Sequence, residues 1–220
     1  EMNEKTALPL EGIRVVNFGH MGTAPLTTIW LADWGAEVIR VESKTKIDSM
    51  RFLLAAKQGL PYEDMINSSI QFNEWNRGSK SILANLKKAQ SIELMKKLVK
   101  VSDVVLENHA PGAMERLGLG YEDLRKANPR IIYVSQSAMG QEGPRRSVVT
   151  YGPTIASLTG KQSMMGYPDG EAQIDYGISD CHSASTSAFY IVNALRYRNR
   201  TGEGQYIDLG QVAPVLFALG

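Results

Sequence analysis

Short apolar runs alternate along this chain with stretches whose apolar residues recur every three or four positions. Residues 13–18, IRVVNF, are rich in β-branched side chains and predict a strand. The GHMGTAP that follows carries turn signals at Gly19 and Gly22, and Pro25 suits the start of a helix. That helix should cover 26–34 and stop at Gly35, leading into a second strand at 37–42, EVIRVE. Residues 13–42 thus read as one βαβ unit, and parallel strands joined by a helix imply a sheet buried on both faces.

Residues 43–75 carry only scattered charges and methionines and read as a partly helical insertion. Ile92, Met95, Leu98 and Val99 then mark the packed face of a helix over 91–100. Strands are expected at 104–107, VVLE, and 131–135, IIYVS, with the turn NHAPG and a short helix over 121–127 between them. After a Gly/Pro-rich loop at 140–144 and a helix near 154–159 comes the longest helical pattern. Its buried face should hold Ala184, Ala188, Ile191, Val192 and Leu195. Arg196, Arg198 and Arg200 crowd its end, where cations suit the helix dipole. The turn TGEG leads to a last strand at 205–209, and residues 218–220 fall inside a further helical pattern. The expected fold is α/β: a Rossmann-like open parallel sheet with helices on both faces. An ending inside a helix suggests a fragment or a separately encoded half.

Composition narrows the possible functions. The 220 residues suffice for a sizeable core, and 43% hydrophobic with 21% charged side chains is the make-up of a soluble globular protein. Twenty-four basic against 23 acidic residues leave a charge of +1, which argues against a protein built to hold a nucleic-acid backbone. No stretch approaches the roughly 18 apolar residues of a membrane span. EMNEKTALPLEG lacks a signal-peptide core, and the single Cys181 fits a reducing compartment, so a cytoplasmic location is expected.

Candidate chemistry is sparse. His20, His109 and His182 are far apart in sequence and the lone cysteine has no CxxC partner, so no metal site is expected. No G-x-S-x-G elbow supports a serine hydrolase. The first turn opens a helix whose N–H groups suit a phosphate, and Glu42 stands where a dinucleotide fold keeps a ribose-binding acid. The glycines lack the GxGxxG spacing, which counts against a nicotinamide dehydrogenase and leaves a purely structural turn open. Asp180, at the start of the long helix, reads either as an N-cap or as a carboxylate nucleophile. The two are compatible, because a helix N-terminus keeps a carboxylate charged and favours an oxyanion nearby.

Taken in order, LPLEGIRVVNF, LADWGAEVIRVE, NRGSKSI, SDVVLENHAPGAMERLGLGYEDLRKANPRIIYVS and GISDCHSA…ALRYRNRTGEGQYIDL resemble the family III CoA-transferases. That family includes formyl-CoA transferase and the carnitine CoA-transferase. The matching stretches cover most of residues 8–215 and are similar to the family's N-terminal half. The resemblance implies that 1–220 is the N-terminal part of a CoA-binding and catalytic large domain, without the smaller second domain or the later glycine-rich loop. It places the nucleophile, Asp180, on a helix over 180–198. Its carboxylate would attack an acyl-CoA thioester to give a mixed anhydride, and then an aspartyl-CoA thioester from which an acceptor carboxylate takes the CoA. Contacts to CoA would come from Met21, Gly22, Ser43, Ala84, Asn85, Leu86, Lys87, Asn108 and Arg116, with Lys87 and Arg116 neutralising phosphates. The implied substrates are an acyl-CoA and a carboxylic acid. No tightly bound cofactor or metal is implied, and the partner would be a second chain, in an interlocked homodimer or a heterodimer with a related subunit.

Four positions depart from the family pattern. Gly22 stands where some members have Gln, Ser43 where an Arg often follows the second strand, Gln136 where some have Lys, and His109 where an aromatic is usual. These departures put the adenine and pyrophosphate contacts in question. Two further readings stay open: a non-catalytic subunit of a heteromer, and an α-methylacyl-CoA racemase. The racemase needs a histidine ahead of the nucleophile helix, and residues 110–181 contain none. Met164, Met165, Tyr167 and Tyr176 are as open to a core role as to a pocket for a bulky or aromatic acid.

Overall fold

The computed structural model describes residues 7–53, 61–174 and 177–220. Its sheet comprises β1 (Arg14–Asn17), β2 (Glu37–Glu42), β3 (Ser79–Leu83), β4 (Val104–Glu107), β5 (Ile132–Ser135) and β6 (Gln205–Asp208). Their order is β3-β2-β1-β4-β5-β6, and every neighbouring pair is parallel. This is the doubly wound order of dinucleotide-binding folds, with its reversal between β1 and β4.

Alternation along the strands builds two cores. Val15, Val104, Leu106, Ile132 and Val134 face α1 (Thr23–Asp33) and α8 (Ile178–Thr201), burying Leu31, Ala188, Ile191 and Leu195. Val16, Val105 and Tyr133 face the opposite way, against Met95 and Val99 of α4 (Ala89–Lys100) and Leu124 of α6 (Tyr121–Ala127). The 43–75 region contributes a short 3₁₀ turn at Ser49–Arg51, then α2 (Tyr62–Ser68) and α3 (Ile70–Trp75). The described residues also form the short helices α5 (Ala113–Arg116), α7 (Gly152–Leu158) and α9 (Val212–Phe217), with a further 3₁₀ turn at Lys161–Met164.

Several sequence expectations need correction. β3 has no counterpart among the predicted strands. As an edge strand reading SKSIL, it commits chiefly Ile82 to a core and shows no alternation. Val192 is exposed rather than buried, because α8 packs through Ala184, Ala188, Ile191, Ala194 and Leu195. Arg198 turns inward, is nearly buried, and pairs with Asp103 at 2.8 Å instead of only decorating the helix end. Met164 and Tyr167 are exposed and belong to no core, while Tyr176 lies outside the described residues.

Candidate active site

Where the strand order reverses, the loops after β1 and β4 meet at the C-terminal edge of the sheet. Asn108, just past β4, clasps the first turn: its Oδ1 accepts from the His20 N–H at 3.0 Å and its Nδ2 donates to the His20 carbonyl at 2.7 Å. Asn17 caps the same turn, its Oδ1 accepting from the Gly19 N–H at 2.8 Å. The turn passes through Met21 in the left-handed region (φ +60°), a costly conformation for a residue with a Cβ. A buried carboxylate holds it there: Asp48 Oδ2 accepts the Met21 N–H at 3.1 Å.

Asp180 faces this turn. It is the third residue of α8, so Gly177, not Asp180, occupies the N-cap position. The Thr23 hydroxyl, in the first residue of α1, donates to Asp180 Oδ1 and also lies 2.9 Å from Gln211 Oε1. Its single proton can serve only one of these oxygens at a time. Gln211 Nε2 donates to the Gln136 carbonyl at 2.7 Å, and Gln136 Nε2 donates to Thr27 Oγ1 at 2.8 Å. A chain of amides and hydroxyls under α1 thus fixes the carboxylate near the helix N-terminus, where negative charge is favoured. Gln136 is wholly buried in this chain, so its place is beneath the site and not on a nucleotide-binding surface.

Glycines make room for the carboxylate. A Cβ at Gly22 would lie 2.8 Å from Asp180 Cγ, and one at Gly152 would lie 2.8 Å from Asp180 Oδ2. Gly22→Ala must therefore push the carboxylate aside. If Asp180 is the nucleophile that the family resemblance implies, its acylation should slow by about 10- to 100-fold, since small misplacements of a reacting group cost that much. The thermal midpoint should barely move, and single-turnover capture of an acyl group is the measurement. An unchanged rate would mean that Asp180 does not need this position.

Two adjoining concavities divide the residues expected to bind CoA. A cleft of about 470 Å³ contains Asp180, Met21, Gly22 and Asn108. A pocket of about 250 Å³ contains Ser43, Ala84, Asn85, Leu86 and Lys87. His20, Lys46 and His109 line both and form the wall between them. Asn85 shapes its own loop, with Oδ1 accepting from the Lys87 N–H at 3.1 Å. Arg116 is not brought to either space; it lines a third depression beyond Ala110 and Pro111, together with Arg146, Glu115 and Glu142. Glu42, the residue a ribose site would need free, is bound by Arg51 at 2.8 Å and by the Ser81 hydroxyl at 2.6 Å. Among the described residues, no cluster of His, Cys, Asp and Glu is arranged to hold a metal ion.

The dividing wall was not legible as a unit. The rings of His20 and His109 meet edge to face at 4.6 Å, and His109 Nε2 lies 3.0 Å from the Phe18 carbonyl. Burial, aided by His20, pulls the His109 imidazole down to about 4, and burial lowers His20 as well. Behind them Glu107 accepts the His109 N–H at 2.7 Å. Burial pushes the Glu107 carboxyl up to about 7, against hydrogen bonds from Ser135 and His109.

These shifts act on stability in opposite directions. The Glu107 contribution is complete below its ordinary 4.5 and fades as pH rises through 7. That of His109 is complete above 6.5 and fades as pH falls through 4. Between these limits the two slopes cancel. His109→Phe removes one of them, so the variant should lose about 1–2 kcal/mol relative to the parent on going from about pH 5 to pH 6.5. Urea unfolding of both proteins at the two pH values reads this directly, and a relative loss on acidification instead would contradict it.

Between β2 and the segment that follows it lies another group that the sequence hid. Arg40, almost fully buried, pairs with Asp48, donates to Asn76 Oδ1, lies 3.9 Å from Glu42 and sits over the Phe72 ring at 5.1 Å. Arg51 covers the same ring at 3.7 Å. In the sequence Arg40 is one charge in an alternating strand, and nothing marks its partner, Asp48, as buried.

Comparison with known proteins gives a consistent picture. A family model described as CoA-transferase family III matches residues 10–220. An acyl-CoA transferase of Fusarium pseudograminearum is 38% identical over 201 residues, 90% of this chain and 44% of that protein. The succinate–glutarate CoA-transferase of Agrobacterium fabrum is 34% identical over 206 residues, 91% of this chain and 50% of that one. The crystal structure of a CAIB/BAIF family protein from Brucella suis superimposes with a TM-score of 0.89 at 32% identity, covering 98% of this chain and 56% of that one. The chain spans about half the length of the curated relatives it matches.

Proposed function

Because the chain belongs to CoA-transferase family III, we propose that it moves CoA from an acyl-CoA thioester to a free carboxylic acid with Asp180 as nucleophile. The observation that carries this reading is the seat of Asp180. Its carboxylate lies against Gly22, Gly152 and the Thr23 hydroxyl, in a cleft that adjoins the Ser43 and Ala84–Lys87 pocket.

The steps follow from the chemistry of a carboxylate. An Asp180 oxygen attacks the thioester carbonyl, the C–S bond breaks, and CoA leaves as a thiolate. The thiolate then attacks the Asp180 carbonyl carbon of the anhydride, releasing the donor acid and leaving an aspartyl-CoA thioester. Attack by the acceptor carboxylate regenerates the thiolate with a new anhydride, and thiolate attack on the acceptor carbonyl frees Asp180. Thr23 orients the carboxylate through its hydroxyl, and the N-terminal turns of α1 and α8 favour the negative charge that develops at the carbonyl oxygen. The Ser43 and Ala84–Lys87 pocket takes the nucleotide end of CoA, with Lys87 toward phosphate and Met21, Gly22 and Asn108 nearer the thioester. Arg116 reaches the nucleotide only from the side depression. No metal or resident cofactor takes part.

Residues 1–220 form the N-terminal part of the CoA-binding and catalytic domain in this reading, and a second chain, identical or related, completes an interlocked dimer. No described helix is long and apolar enough to cross a membrane, and the exposed Cys181 thiol suits the cytoplasm.

The test is covalent capture. After incubation with an acyl-CoA and quenching with hydroxylamine, trypsin should release residues 162–196 as one peptide, because no Lys or Arg lies between Lys161 and Arg196. A hydroxamate at Asp180 is the expected product. An unmodified peptide from protein that binds CoA would replace the reading with a non-catalytic subunit.

A further inference from the structure

The lining of the cleft around Asp180 is unevenly distributed by chemistry. Its basic members, His20, Lys46 and His109, are those it shares with the adjoining pocket, while Gln71, Asn108, Ser137 and Thr150 add neutral polar groups of its own. Much of what it does not share is apolar: Met50, Leu53, Trp75, Val148, Val149 and Tyr151 come from the 43–75 region and from the loop before α7. Four of these present large apolar surface to solvent: Val148, and more so Leu53 at 53% exposure, Val149 at 71% and Tyr151 at 66%. Apolar surface gathered around a reactive carboxylate marks a ligand site more than chance exposure does.

Charge points the same way. Among the described lining residues Lys46 is the one permanent cation, and it stands in the shared wall. The two histidines beside it are held neutral near pH 7 by burial. A second carboxylate on the substrate would meet no cation among the described lining residues beyond that wall, and would share the space with Asp180. Burying a charge unpaired is expensive, and two like charges at one site disfavour each other.

We propose that the acid carried by this site is a monocarboxylic acid with an apolar body, its chain or ring packed on Met50, Leu53, Trp75, Val149 and Tyr151, and not a dicarboxylic acid. The inference rests on the transferase reading given above, and the two can fail separately.

The experiment compares hexanoyl-CoA, acetyl-CoA and glutaryl-CoA as donors at equal subsaturating concentration, with hydroxamate formation at Asp180 as readout. Capture should favour hexanoyl over acetyl, by about fourfold for each added methylene that is fully buried. It should favour hexanoyl over glutaryl by about tenfold or more. Val149→Lys, at an exposed position, should narrow the hexanoyl-to-glutaryl ratio by about tenfold by offering the distal carboxylate a partner. Binding of free hexanoate and glutarate, followed by saturation-transfer NMR on the unmodified protein, supplies a readout independent of chemistry. Preference for hexanoate without any labelling would uphold the apolar site and overturn the transferase reading. Labelling by glutaryl-CoA equal to or better than by hexanoyl-CoA would overturn the inference and keep the transferase. In that case Arg116 or Arg146, across Pro111, would be the cation that receives the distal charge.

Discussion

Asp180→Asn is expected to lower covalent capture and net CoA transfer by about four orders of magnitude or more, the scale of removing a catalytic nucleophile. The amide matches the carboxylate in size, so the crowding by Gly22 and Gly152 is unchanged and the Thr23 hydroxyl keeps an oxygen to donate to. The side chain is only half-buried and carries the third position of a long helix, so its replacement should leave folding intact. What disappears is the nucleophile, because an amide forms neither the anhydride nor the thioester. CoA binding should survive, as the Ser43 and Ala84–Lys87 pocket is untouched. Parallel measurement of hydroxamate yield, donor-to-acceptor exchange and CoA affinity separates the effects. Retained exchange above about one per cent would move the nucleophile to another residue.

Arg40→Met should give the largest loss of stability among the substitutions considered. The arginine is 2% exposed and neutralises Asp48, whose side chain is equally buried, while Glu42 stands 3.9 Å away. Taking away one member of a buried pair strands the other charge, which costs about 3–5 kcal/mol. For a chain of this size that corresponds to a fall of roughly 6–20 °C in the thermal midpoint. Pairing it with Asp48→Leu should recover much of the loss, since neither charge is then left without a partner. Activity should not recover in the double variant, because Asp48 also holds the Met21 N–H in the turn that faces Asp180. A single-variant loss under about 1 kcal/mol would show that water reaches the pair and that the pair contributes little.

The legible and illegible parts of this molecule differ by the distance over which each residue acts. β1, β4 and β5 were readable because each is a local apolar run, β2 because its apolar residues are β-branched and largely alternate with charges, and α8 because its small apolar residues recur with the helical period. β3 was not, since an edge strand can remain polar while the backbone of β2 supplies its pairing. Asp180 could be singled out from its helix position and the surrounding motif, but its N-cap reading failed because α8 begins earlier, behind Gly177. Thr23, Gln136 and Gln211 carried no local signal; their meaning comes from hydrogen bonds to residues far along the chain. The Ala84–Lys87 loop and Ser43 line one pocket, whereas Arg116 stands apart. The apolar residues lining the cleft beside Asp180, Met50, Leu53, Trp75 and Val149, come from two stretches with no periodicity to read.

The contacts that hold Asp180 also set when the site can exist. Thr23 meets Asp180 across 157 residues of chain and Gln211 across 188. Such contacts close large loops and form late, after local helices and neighbouring strand pairs have already gained their own stabilisation. A nascent chain released from the ribosome only as far as α7 would possess most of the sheet and none of the nucleophile. If Asp180 is the nucleophile proposed above, its reactivity toward thioesters is withheld until the last helices have docked, and a half-made copy has no means of trapping CoA.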